Sequence, residues 1–451
     1  MSGFITAGSQ YNGAETLDII LRPIFIGKDP RELGVRVVFT KKAGSIKLNF
    51  FNKLTKILMP YASSWQGGSG ATRKEKKFSL AEFKAEAAYS KQDYKSTILE
   101  QITNVGGVAQ NDITGTDVMK AEQEVFQNAL SYDIWRNWWL ADTSKKHYAA
   151  GTYPDGSTTY VVGDEDKYYS TIDGIWVAIM AASVDYASSP TQDQITRITM
   201  SNAAVAQAET QTLASTSAGT ITITVYGKDY SQAYATSVAA TCTAWLATHG
   251  AAFAALKITV TDGLSADLTF TSSIAGKPFT LVMTDAGTSG TWTQSAVTAN
   301  TAPAALTTDE AMTTFRLMDL HSKPELKEIP AEQKALFVTD TFYQNYLETL
   351  EDDGTAAAHF EVINGIKTLT WRGIPLIKMG IDSVLAADFV GEYPHRAILC
   401  PKNMLTLVLS EANDFAETRL WFNPDENQNR QRTQFEFGAD YFLPELITDA
   451  Y

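Results

Sequence analysis

From Asp117 to Asp142 the chain runs without a glycine or proline, and this stretch limits the fold more than any other. Val118, Glu122, Val125, Phe126, Ala129, Leu130 and Ile134 recur near helical spacing, with Lys120, Gln123, Gln127 and Asn128 largely between them. Thr114 or Thr116 offers an acceptor to the first-turn amides, and Asp117 suits the positive end of a helix. At 1.5 Å per residue the helix is roughly 37 Å long, more than the usual three turns. It closes on Trp135, Trp138 and Trp139, so it has to lie along something. Two readings stand: a long helix inside a core, or a rod running the length of a flat subunit.

At 451 residues the chain has room for two to four domains with sizeable cores. Its net charge of −14 argues against a sequence-reading nucleic-acid binder or a protein held on acidic lipid, since both need a basic face. Cys242 and Cys400 stand far apart in apolar surroundings and read as buried small hydrophobes. The N-terminus lacks the basic and apolar regions of a signal peptide, and the most apolar run, Gly174–Val184, is too short to span a bilayer. We therefore expect neither export by the standard route nor insertion in a membrane.

Residues 1–34 are punctuated by glycine and proline and read as an arm lying on another surface. Val35–Phe39 and Ile46–Phe50 read as short strands around a Lys-Lys-Ala-Gly-Ser turn. Residues 65–77 read as a flexible tip followed by the basic residues Arg73, Lys74, Lys76 and Lys77, either a solvated loop or an excursion that pairs with carboxylates of a neighbouring chain. Phe78–Ile102 is ambiguous between helix and strand, and Ile172–Val184 reads as a buried helix.

Near Met200 the composition changes. From there to Leu306 alanine, threonine and serine dominate and only eight residues are charged. Thr220–Tyr226, Leu256–Thr261, Asp267–Thr271, Phe279–Thr284 and Thr291–Val297 read as strands, and Asp229–Thr248 as a helix. We read this as a small α+β domain inserted into a parent, because ordinary periodicity resumes on both sides. Beyond it, Glu310–Leu320 and the run after Thr339 read as helices, Ala335–Val338 as a strand, and Phe360–Arg372 as a hairpin turning at Asn364-Gly365. Arg396–Cys400 reads as a strand before a helix starting at Pro401, and Arg430–Leu443 alternates weakly.

Signatures of catalysis are missing. There is no Gly-x-Ser-x-Gly elbow, no His-Glu-x-x-His helix and no Cys-x-x-Cys pair. Ala275-Gly276-Lys277 resembles the end of a phosphate loop, but Pro278 stands where a magnesium-binding hydroxyl is required. The five histidines lack ligand spacing, and the acidic turns Gly163–Asp166 and Glu351–Gly354 read as surface turns. No cofactor, metal site or enzyme activity is expected.

Four segments carry a family resemblance: Phe360–Ile377, Tyr393–Leu405, Arg419–Asp425 and Gln434–Ile447. Together they resemble a hairpin, a strand entering a helix, and the closing strands of the major capsid proteins of tailed bacteriophages. This is the shell fold of phage Hong Kong ninety-seven, and the likeness is nearest to versions from phages of Bacteroidetes hosts. It covers residues 1–190 loosely and 308–451 more firmly.

The resemblance implies an α+β capsid fold, with residues 1–50 as N-terminal arm and 51–100 as extended loop. Residues 101–165 would be the peripheral domain with its spine helix, 166–199 and 307–418 the two parts of the axial domain, and 419–451 closing strands of the peripheral domain. Residues 200–306 would face outward as the inserted domain. No long charged helical leader precedes the arm, so a fused scaffolding segment is expected to be absent or removed.

The resemblance further implies self-assembly into pentamers and hexamers of an icosahedral shell. That shell would enclose double-stranded DNA without sequence-specific binding, with portal, scaffold and auxiliary capsid proteins as partners. It would form in the host bacterial cytoplasm. Arg73, Lys74, Lys76, Lys77, Trp135, Trp138, Arg419, Arg430 and Arg432 are the candidate inter-subunit contacts. Two rivals remain: an encapsulin-like nanocompartment shell, and a surface adhesin whose inserted domain binds glycans. Exposed aromatics near Trp245 or Trp292 would favour the adhesin.

Overall fold

The computed structural model describes residues 30–31, 33–40, 44–51, 61, 64, 73–90, 117–153, 158–200, 204–214, 218–263, 266–285, 291–363, 366–410 and 419–451. They divide between two compact bodies, one built from residues up to Trp139 with Lys402–Phe442, the other from Leu140–Pro401 with Leu443–Tyr451.

The first body is organised by one long strand, Gln428–Tyr441. Leu405–Ser410, Arg419–Asn423 and Ala81–Ser90 all lie antiparallel against it, and Arg36–Thr40 adds in parallel beyond Leu405–Ser410. Leu405–Ser410 is buried along its whole length, as a central strand covered on both faces must be. From Ala81 to Tyr89 exposure alternates residue by residue, the mark of a strand with one face in water. On the covered side Phe83 stacks against Phe437, ring centroids 4.3 Å apart. A separate ribbon pairs Ser45–Phe51 with Arg73–Ser79. Where it leads into Ala81, the chain passes so close to Gly438 that a Cβ there would stand 2.2 Å from the Ser79 carbonyl oxygen.

The long helix runs Asp117–Leu140. Phe126, Leu130, Ile134, Trp135, Trp138 and Trp139 are buried, whereas Val125 is 61% exposed and Ala129 also faces outward. From Gln123 to Leu130 the apolar stripe is narrower than the spacing predicts, and it widens into the tryptophans. Thr114 and Thr116, its expected caps, lie outside the described residues.

The second body carries an eight-stranded mixed sheet. Its order is Phe360–Ile363, Ile366–Trp371, Ile374–Lys378, Lys334–Val338, Ala397–Pro401, Thr448–Ala450, Ile195–Ile198, Ser183–Asp185. Helices Glu310–His321 and Asp340–Asp352 contribute Phe315, Met318, Phe342 and Tyr346 to its core. The Phe360 hairpin forms with Ile363 opposite Ile366, its Asn364-Gly365 turn lying outside the described residues.

The described residues between 204 and 301 build most of a second core, which Val162 and Tyr148 of the preceding chain also enter. A three-stranded sheet (Lys228–Ala233, Thr220–Val225, Leu281–Asp285) and a four-stranded sheet (Ile258–Asp262, Asp267–Ser272, Ala208–Ala214, Thr291–Thr298) share it with helix Val238–Ala255. Ser237 caps that helix, its hydroxyl accepting from the Ala240 amide at 3.1 Å. Val205 and Thr301 exchange two backbone hydrogen bonds where the segment leaves and rejoins its parent.

Several expectations need correction. Pro401 ends a strand rather than starting a helix: Asn403 turns the chain in the left-handed region, and the next run enters the first body's sheet as a central strand. The strands near Val35 and Ile46 do not pair with each other; each takes a distant partner. Lys402–Ser410, expected with the axial part, groups with the first body, and the described residues 140–153 and 158–165 group with the second. The last nine residues do not join the closing strands, because Thr448–Ala450 fills a slot between Ala397–Pro401 and Ile195–Ile198. Asp229–Thr248 divides into a strand and the start of the Val238 helix, and Ile172–Val184 is a shorter helix, Ile175–Ala182, running into a strand.

Candidate functional site

The basic cluster lies on the ribbon, with the side chains of Arg73 and Lys74 outside the described residues. Alternation along Arg73–Ser79 turns Glu75 and Lys77 to solvent and Lys76 and Phe78 to the covered side. Lys76 is committed within its own chain: its ammonium meets Asp440 Oδ1 at 3.0 Å and lies 4.1 Å from the centre of the Tyr441 ring. Burial raises the Asp440 carboxyl, and Lys76 offsets part of that rise. Lys77 is exposed, opposite Lys47, which pairs with Glu75 at 2.7 Å. Of the cluster's described side chains, Lys77 keeps its charge on an open surface.

Arg419, Arg432 and Glu86 stand in one cross-strand row, since Arg419 is opposite Arg432 and Arg432 opposite Glu86. Arg432 Nε lies 3.3 Å from Glu86 Oε1, and Arg430 pairs with Glu426. Exposed pairs of this kind contribute about 0–1 kcal/mol.

Trp135 and Trp138 are not surface contacts. They are 4% and 0% exposed, their rings stack at 4.7 Å, and Trp139 closes the group edge-on. Trp138 Nε1 donates to the Thr406 carbonyl at 3.1 Å, tying the helix to the central strand. An indole buried within its own chain has nothing to offer a neighbour.

In the inserted domain Trp245 is fully buried, its Nε1 donating to the Tyr230 carbonyl at 2.9 Å, and Trp292 is half-buried against the same core. The exposed aromatic platform required for stacking on a sugar is not formed by these two. Among the described residues no group of three or more histidine, cysteine or acidic side chains is placed to hold a metal, and no helix is long and apolar enough to cross a membrane. Cys242 and Cys400 are both buried, and burial pushes the Cys242 thiol up to about 12.

Two buried charge groups in the second body had no sequence assignment. Asp449, 0% exposed, accepts from Ser183 Oγ at 2.9 and 3.0 Å, and burial raises its carboxyl from 3.8 to about 7. Lys145, Lys277 and Glu392 meet at the foot of the inserted domain. The available signal was that Lys257 and Lys277 are two of only eight charges in a hydroxyl-rich stretch. Their partners lie more than a hundred residues away and carry no local pattern.

No protein-family model matches the sequence, and no curated protein matches it. Among solved structures the chain is similar to the capsid of cyanophage P-SCSP1u, with 11% identity, 93% of this chain and 86% of that one covered, and a TM-score of 0.35. It is also similar to a chain of the satellite phage P4 procapsid that includes the size determination protein, with 7% identity, 100% and 93% covered, and a TM-score of 0.40. A third similarity is to the capsid of Myoviridae phage XM1, with 8% identity, 93% and 90% covered, and a TM-score of 0.36.

Proposed function

We propose that this chain is the major capsid protein of a tailed bacteriophage. It works by assembly without catalysis, each copy contributing surface to a closed shell whose stability sums many modest contacts. The observation that carries this reading is the order of elements along the chain. Among the described residues an edge strand of the main sheet comes first, then a two-stranded ribbon, a second strand of that sheet, a 24-residue helix, and a separate sheet body with an inserted segment. The chain then returns to the first body's sheet as its longest strand, before its last nine residues rejoin the second body. That is the order of extended loop, spine helix, axial domain and closing strands that the sequence resemblance implies.

In this reading the copies form pentamers and hexamers around double-stranded DNA, with a portal, a scaffold and auxiliary capsid proteins as partners, and assemble in the host cytoplasm. The inserted domain faces outward. Lys77 and the Arg419–Arg432 row are the candidate contacts between subunits, their charge lying at the surface. A net charge of −14 suits a wall that must not anchor phosphates. Sedimentation of the purified chain, with absorbance at 260 and 280 nm after nuclease treatment, tests the reading. Large particles that protect nucleic acid are expected. Particles filled with protein cargo instead would point to a nanocompartment, and a monomer in every condition would remove the shell reading altogether.

A further inference from the structure

Three stretches of chain draw their charges inward at the foot of the inserted domain. Lys145 and Lys277 flank one carboxylate, with Nζ to Glu392 Oε1 distances of 3.9 and 2.7 Å. Lys145 also donates to the Asp388 carbonyl at 2.8 Å and sits 3.4 Å from the centre of the Phe389 ring. Lys277 sits 3.4 Å over the Tyr148 ring, and Tyr148 meets Tyr226 edge-on. A third amine, Lys257, lies 3.4 Å from Asp142 Oδ2 and donates to Ser144 Oγ. Tyr226, Lys257 and Lys277 come from the inserted domain; Asp142, Lys145, Tyr148 and Glu392 come from its parent.

Backbone meets backbone at the same place. Gly276 and Gly391 both have positive φ, +88° and +78°. A Cβ on Gly276 would stand 2.8 Å from the Gly391 oxygen, and one on Gly391 would stand 2.9 Å from the Gly276 oxygen. Only glycine accepts both the conformation and the approach.

We propose that this joint locks the inserted domain in a single orientation on its parent, with Glu392 as the positioning residue. The Val205–Thr301 neck is one isolated antiparallel bridge, which by itself permits a swing. A buried ion pair adds little net stability, but any arrangement that strands one partner without the other is costly. Glu392 balances two lysines that burial has already pulled below the ordinary lysine range, and rotating the domain off its seat would part Lys277 from that carboxylate while Lys145 and Glu392 stay together on the parent. The lock therefore acts by rejecting other orientations. It does not depend on the shell reading, because it is a property of one chain.

The test uses the full chain in solution. Glu392→Gln is expected to raise hydrogen exchange at Gly276–Lys277 and at the neck by at least about tenfold, with strand Lys334–Val338 unchanged. Spin labels at the exposed positions Thr261 and Glu361 should give a single narrow distance distribution in the parent protein and a broad one in that variant. Lys277→Met leaves Lys145 and Glu392 balanced and should do less than Glu392→Gln, whereas simple loss of contact would make the two equal. Should Glu392→Gln unfold the parent sheet, Lys257→Met, altering a partly exposed side chain, is read in the same way. Narrow distances and unchanged exchange in these variants would overturn the proposal.

Discussion

The inserted domain and the first body solve the same problem from opposite directions. In the inserted domain each strand finds its partner within about ninety residues, and the Thr220–Val225 hairpin partner begins three residues on. In the first body Arg36–Thr40 pairs with Leu405–Ser410, and Ala81–Ser90 with Gln428–Tyr441, so hundreds of residues are threaded elsewhere before the sheet closes. One region completes its strand pairing within a contiguous stretch; the other does so only when distant segments meet. The second body shares the distant habit at one place, the slot filled by Thr448–Ala450. Loop closure is slow to reward such pairing, so the distant closures are expected to be the late and separable steps of folding.

The largest effects should come from removing the anchor of each region. Trp138→Ala leaves a cavity beneath the central strand and is expected to cost about 3–5 kcal/mol, read as lost exchange protection in Leu405–Ser410 with the inserted strands intact. Trp245→Ala should do the reverse, exposing Thr220–Val225 and Asp267–Ser272 while Leu405–Ser410 stays protected. If either change melts both regions, the contrast between local and distant closure is wrong.

A smaller effect concerns the last strand. Asp449 is raised by burial from 3.8 to about 7, so the folded chain holds its proton more tightly than the unfolded one. The stability from this group is fully present below about pH 4 and is lost as pH rises through about 7. Asp449→Asn should therefore flatten the loss between pH 4 and 7, a change of about 2–4 kcal/mol in denaturant titrations. Identical pH profiles for the two proteins would show that the carboxyl is already charged when folded.

These distant closures were the least legible part of the sequence. Long periodic stretches such as Asp117–Asp142, and alternation such as Thr220–Tyr226, report local structure because one side of each element is dry. Leu405–Ser410 is dry on both sides, so its apolar run carries no period, and Pro401 before it pointed to a helix. Trp135 and Trp138 drew attention as large aromatics, but sequence cannot tell a buried stack from an interface anchor. The joint at Glu392 was invisible for the same reason as the sheet register, since its partners are joined only by the fold.

Two smaller perturbations sharpen the comparison. Gly438→Ala forces a Cβ against the Ser79 carbonyl and should cost about 1–3 kcal/mol, with exchange rising where the Ala81 strand meets Gln428–Tyr441. Lys77→Glu, on an exposed face, should move the stability of the isolated chain by no more than about 0.5 kcal/mol while lowering the yield of assembled particles. An unchanged yield would remove Lys77 from the list of contacts.

The central claim is that this chain builds a shell, and electron microscopy of the purified protein tests it most directly. Closed polyhedral particles or regular five- and six-membered rings, with the inserted domain projecting from the outer surface, are the expected result. A monodisperse single chain across salt, pH and concentration, never forming a ring, would contradict it.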